Sequence, residues 1–159
     1  MRTKKLISIL VLILIISMAY GSYNISLTQF KLSDANYSYL GGLKWSRNIT
    51  TSFDNATKEN KPIAVYFWAI WCQYCAKFQS NTLGNPEVKK ILEKDYILVA
   101  MDLDVDREVA RKYGVSYPPY VLFLDGNDNV IDRVAGAVPA EEFLPIVQKV
   151  RDKVRKAKL

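Results

Sequence analysis

Ile63-Ala64-Val65-Tyr66-Phe67-Trp68-Ala69-Ile70-Trp71-Cys72-Gln73-Tyr74-Cys75 decides the reading of this chain. Its first seven residues are a continuous apolar run, rich in branched and aromatic side chains. Lys61-Pro62 stands in front of it. Such a run is too short for a helix between these flanks and reads as a strand buried on both faces. From Cys72 onward the pattern turns helical. The two cysteines therefore fall where a central strand hands over to a helix.

The rest of the domain follows outward from this point. Upstream, Thr50–Asn60 suits a short helix, with Thr51 or Ser52 as N-cap and Phe53, Ala56 and Thr57 facing inward. Downstream, the helix after Cys75 is expected to reach about Ser80. Pro86 opens another, with Val88, Ile91 and Leu92 on one face of Glu87–Lys94. Asp95–Leu103 is a second buried strand. Arg107–Tyr113 is a short helix closed by Gly114. Pro119–Asp125 is a third strand, Gly126–Asn129 a turn, and Val130–Ala135 an antiparallel edge strand. Pro139–Lys156 is an amphipathic helix with Phe143, Ile146, Val147 and Val150 inward. A βαβ unit followed by a ββα unit makes an α/β fold, with a central mixed sheet flanked by helices.

Composition removes several chemistries. The 159 residues fit one domain plus attachments. There is no histidine, which excludes Ser–His–Asp and Cys–His pairs and imidazole metal sites. Two cysteines without histidine do not close a zinc site within a monomer, so no metal and no cofactor is expected. Net charge is +6, and Arg2, Lys4 and Lys5 supply half of it. That is too mild to indicate nucleic acid. Lys149, Arg151, Lys153, Arg155, Lys156 and Lys158 read as solvated cations near a helix C-terminus.

The N-terminus points to export. Basic Met1–Lys5 precedes Leu6–Tyr20, which only Ser8 and Ser17 interrupt. Residues 1–21 are thus an N-terminal hydrophobic helix acting as a signal sequence or a membrane anchor. Ser17-Met18-Ala19 permits cleavage after Ala19, which would secrete the protein. An uncleaved segment would leave a single span at the cell membrane with the domain outside the cytoplasm. Residues 22–43 read as a stalk, and residues 44–156 as the folded domain. Sequons begin at Asn24, Asn36, Asn48 and Asn55, and whether they are glycosylated depends on the host.

The chemistry lies in the cysteine pair. Backbone N–H groups at a helix start, and the helix dipole, favour negative charge on Cys72 and lower its thiol pKa. The thiolate is the nucleophile that attacks a partner's disulfide. Cys75, one turn later, is placed to attack Cys72 and release the product.

Tyr66–Cys75 resembles the active-site segment of the thioredoxin superfamily. Lys112-Tyr113-Gly114-Val115, followed by a proline and an apolar strand, resembles its second landmark. Thr82–Val88 is similar to a subgroup containing the C-terminal domain of the bacterial transmembrane disulfide-interchange thiol reductase. The resemblance covers roughly Trp45 to Val150 and implies a thioredoxin fold. It also implies a cis-proline loop at Pro118-Pro119 that faces the cysteines. Trp71, Gln73 and Tyr74 would help form the docking surface for a partner protein. Three departures matter. Pro118 has no N–H for a partner's backbone. Tyr66 stands where the thioredoxins proper carry a buried acid, and Ala100 where they carry the lysine that accompanies it. The proton of Cys75 would then pass to water, to Asp102 or to Glu59, and release of the mixed disulfide is expected to be slow.

The expected function is an extracytoplasmic, membrane-associated thiol–disulfide oxidoreductase acting on protein cysteines. The direction leans to reductase, with a membrane electron donor or acceptor, and a monomer is expected. The competing readings are a non-enzymatic anchored binding or chaperone module and a copper(I)-handling CxxC protein.

Overall fold

A computed structural model of the chain describes residues 9–21 and 36–157. Residues 9–21 form a helix, α1, whose apolar side chains are exposed. Among the described residues no helix is long and apolar enough to cross a membrane. Leu6–Ser8, the start of the expected apolar segment, lie outside them.

A separate compact unit starts at Tyr37. Its elements are β1 (Tyr37–Leu40), β2 (Leu43–Ser46), α2 (Ile49–Glu59), β3 (Ile63–Trp68) and α3 (Gln73–Phe78). A π-helical turn (Gln79–Leu83) follows, then α4 (Pro86–Asp95), β4 (Ile97–Asp102) and α5 (Arg107–Tyr113). The unit closes with β5 (Tyr120–Leu124), β6 (Val130–Ala135) and α6 (Ala140–Lys156). The six strands make one sheet in the order β1-β2-β4-β3-β5-β6. β3 runs parallel to β4 and antiparallel to β5, so the sheet is mixed as expected.

The all-apolar reading of β3 has a direct cause in the packing. Ala64 and Tyr66 face a cluster with Trp45, Phe78, Leu92, Phe123 and Phe143, under α4 and α6. Ile63, Val65 and Phe67 face a second cluster with Ala110, Tyr113 and Ala56, under α5 and α2. Both faces are covered, so β3 has no polar side. Each large side chain buried there contributes about 1.5–3 kcal/mol of hydrophobic free energy.

The structure corrects the sequence reading at the C-terminal cations, where Arg151 and Arg155 pair with buried Asp95 instead of being merely solvated, and in three further places. First, residues 37–43, assigned to the stalk, belong to a β-hairpin. Leu40 pairs with Leu43 across Gly41-Gly42, and both glycines have positive φ. Leu43 and Trp45 are fully buried, while Lys44 faces out. Gly41 also meets the π-turn closely, since a Cβ there would lie 2.5 Å from Leu83 Cβ. Second, α2 is capped by Asn48 rather than Thr51 or Ser52. Its Oδ1 accepts the Thr51 N–H at 3.1 Å, and Ser52, not Thr57, is buried. Third, the helix after Cys75 runs past Ser80 as the π-turn and stops at Gly84.

Candidate active site

β3 ends at Trp68, whose carbonyl accepts the Leu103 N–H at 2.9 Å. A tight turn follows, in which the Cys72 N–H donates to Ala69 O at 3.2 Å. Cys72 is extended (φ −83°, ψ 100°) and caps α3. Its Sγ accepts the Cys75 N–H at 3.0 Å, the bond that serine or asparagine oxygen makes at most helix starts. The same N–H and the dipole of the helix stabilise negative charge on that sulfur. Cys72 and Cys75 are joined as a disulfide, with Cα atoms 5.2 Å apart. Cys72 keeps 7% of its surface exposed and Cys75 only 1%. A partner therefore meets Cys72 first.

The proline loop lies at the same end of the sheet. The Pro118–Pro119 peptide is cis. Tyr120 is in register with Phe67, so Pro119 sits level with the end of β3. Pro119 is buried and its carbonyl accepts the Gly136 N–H at 2.9 Å. Pro118 is half-buried and keeps a carbonyl but no N–H for a partner's chain. Trp71 and Pro118 are walls of one open groove of about 570 Å³. Gln73, Trp71 and Tyr74 are exposed, the last two by 62% and 67%. The Trp71 indole N–H donates to Asp104 Oδ2 at 2.8 Å.

Proton handling has few groups to use. Tyr66 is fully buried against Trp45 and Phe78, with ring centroids 5.6 and 5.7 Å away. Its hydroxyl accepts from Gln79 Nε2 at 3.3 Å. Burial pushes its pKa up to about 12, against a smaller lowering by the Gln79 bond. The hydroxyl thus stays neutral and is no base near neutral pH. Ala100, in register with Tyr66, is buried and brings no cation. Glu59 precedes the opposite end of β3 and pairs with Lys61 at 2.7 Å. Asp102 is in register with Trp68, at the cysteine end, and its Oδ1 accepts the Asp104 N–H at 2.9 Å. Of the two carboxylates considered from sequence, only Asp102 is at the right end of the sheet.

Two polar groups escaped the sequence reading. Asp104 looks like an ordinary turn acid, and nothing in the sequence ties it to Trp71, 33 residues away. Gln79 was findable, because it lies four residues after Cys75 and so on the same helical face.

Residues 49–151 match the family model described as the thioredoxin-like domain. A thiol:disulfide interchange protein DsbD from Pseudomonas fluorescens is 30% identical over 108 residues, which is 64% of this chain and 18% of that protein. The chain thus spans under a fifth of that relative's length. A thioredoxin from Griffithsia pacifica is 31% identical over 106 residues, covering 65% of this chain and 93% of that one. A solution structure of a thioredoxin from Thermus thermophilus superposes with a TM-score of 0.59 at 27% identity, over 64% of this chain and 82% of that chain. The C-terminal domain of Neisseria meningitidis DsbD in its oxidised form shares the fold, with a TM-score of 0.55 at 24% identity over 64% and 91% of the two chains. With the match of residues 49–151, the mixed sheet and the capped cysteine pair together, this chain belongs to the thioredoxin-like domain family.

Proposed function

We propose that this chain is an extracytoplasmic, membrane-associated thiol–disulfide oxidoreductase that chiefly reduces disulfides of other proteins. One observation carries the reading. Cys72 Sγ sits at a helix start, accepts the Cys75 N–H, and is the more accessible sulfur of the pair.

In the reduced protein the Cys72 thiolate attacks one sulfur of a partner's disulfide. The partner's S–S bond breaks, a Cys72–partner bond forms, and the other partner sulfur leaves as a thiolate. Cys75 then loses its proton and attacks Cys72 Sγ, which frees the second partner thiolate. The protein ends as the Cys72–Cys75 disulfide, and the partner has gained two electrons. The proton of Cys75 goes to water or by way of Asp102, since Tyr66 holds its own. A membrane electron carrier restores the dithiol.

The resemblance of Thr82–Val88 to the subgroup containing a transmembrane disulfide-interchange thiol reductase supports the reductive direction. The basic residues before Leu6–Tyr20 support a domain placed outside the cytoplasm, and an uncleaved Leu6–Tyr20 would hold it at the membrane. The test is trapping with Cys75→Ser. The variant is expected to accumulate mixed disulfides on Cys72 with exported proteins. A redox titration of the wild-type pair is expected near the thioredoxin value of about −270 mV. A value near −120 mV would make it an oxidant instead. Failure of wild-type protein to reduce any disulfide would remove the reading altogether.

A further inference from the structure

Resting on the exchange reading above, we infer that the groove beside Trp71 and Pro118 selects partners that carry acidic residues next to the attacked cysteine, through Arg107 and Arg111.

The groove runs from the cysteine loop across to α5, and Arg107, Arg111 and Ser116 form its far wall. Its lining holds one acid, Asp104, whose carboxylate already accepts the Trp71 indole N–H. The guanidinium groups are less occupied. Arg107 gives its Nε–H to the Asp104 carbonyl at 3.2 Å. Among the described residues Arg111 pairs only with Glu108, at 3.9 Å, and both side chains are largely solvated, 76% and 94% exposed. Such a pair is worth little and yields readily to a better-placed carboxylate. The neighbouring acids are turned elsewhere. Asp106 Oδ2 accepts the Asp102 N–H at 2.8 Å, and Asp102 Oδ1 accepts the Asp104 N–H. Lys112 is held by Asp128.

Pro118 gives this wall its weight. It offers a partner's backbone one acceptor and no donor, so main-chain pairing beside the cysteines is reduced. Two planar guanidinium forks a short way along the groove supply donors that suit a carboxylate. Partner choice then rests on side-chain charge more than on backbone pairing.

The experiment uses the full chain, reduced and freed of reductant. Three disulfide-cyclised peptides serve as probes, identical but for Glu, Gln or Lys on both sides of one cysteine. The rate of protein oxidation by each is followed by tryptophan fluorescence. The Glu peptide is expected to react about fivefold faster than the Lys peptide at low salt, and the ratio is expected to shrink in high salt. In Arg107→Glu/Arg111→Glu the order is expected to reverse. Lys90→Glu/Lys94→Glu makes the same charge change on α4, across the sheet, and is expected to keep the wild-type order. Should the double arginine variant not fold, Arg111→Gln is expected to bring the ratio near one. Equal rates in wild-type protein overturn the inference. So does a wild-type order retained in the arginine variants, or a reversal in the α4 control. Dithiodiethanol, small and uncharged, tests the underlying reaction. If neither it nor any peptide oxidises the protein, the exchange reading falls and takes this inference with it.

Discussion

The indole N–H of Trp71 donates to Oδ2 of Asp104 at 2.8 Å, which ties the cysteine loop to the turn after β4. This bond fixes an exposed aromatic ring beside Cys72 rather than leaving it free to sweep over the sulfur. It also occupies the one carboxylate in the groove.

Asp104→Ala is expected to release the ring. The bond is exposed, so the loss of stability should stay under about 1 kcal/mol in urea unfolding. Tryptophan fluorescence should become more accessible to quenchers, and exchange with protein disulfides should slow by about threefold. Unchanged exchange would show that the ring's placement does not matter to docking.

Tyr66 links pH to stability in a defined sense. Its folded pKa is raised by burial to about 12, above its ordinary 10.0. The folded state therefore holds this proton more tightly than the unfolded chain. The associated stability is complete below pH 10 and is lost as the pH climbs from about 10 to 12. Tyr96 is pushed in the same direction, first by burial. Wild-type protein should thus weaken steeply at alkaline pH. Tyr66→Phe should weaken less over that window, by about 2–3 kcal/mol at its upper end. It should also lose about 1 kcal/mol at neutral pH, because Gln79 loses its acceptor. Parallel alkaline curves for the two proteins would contradict this account.

Asp95 is 6% exposed and lies at the C-terminus of α4, where the helix dipole disfavours its charge. Arg155 Nη2 at 2.8 Å and Arg151 Nη1 at 3.6 Å offset that. Removing both partners in Arg151→Ala/Arg155→Ala would strand a buried carboxylate and is expected to cost about 3–5 kcal/mol. Asp95→Asn removes the charge itself and is expected to cost less. Denaturant midpoints of the two variants rank the effects, and the reverse ranking would refute the argument.

Much of this architecture was legible because local and global signals agree. β3 could be read from Ile63–Trp68 because both its faces are covered, which demands an unbroken apolar run. The cysteine pair could be placed because strand and helix patterns meet at Cys72. What escaped depends on contacts between distant residues. Tyr37–Leu40 resembled a spacer because its polar and aromatic mix hides a half-buried strand. Even so, Gly41-Gly42 between alternating residues was a usable hairpin signal. The C-terminal cations looked uniformly solvated, yet Arg151 and Arg155 reach Asp95 on another helix. The Trp71–Asp104 bond has no local signature at all.

The central claim is that the helix start makes the Cys72 sulfur acidic. Its most direct test follows thiolate absorbance of the reduced protein against pH, with Cys75→Ser present to isolate one thiol. The account predicts a midpoint below about 7 and selective alkylation of Cys72 in mild acid. A midpoint near 8.5, as for free cysteine, would contradict it.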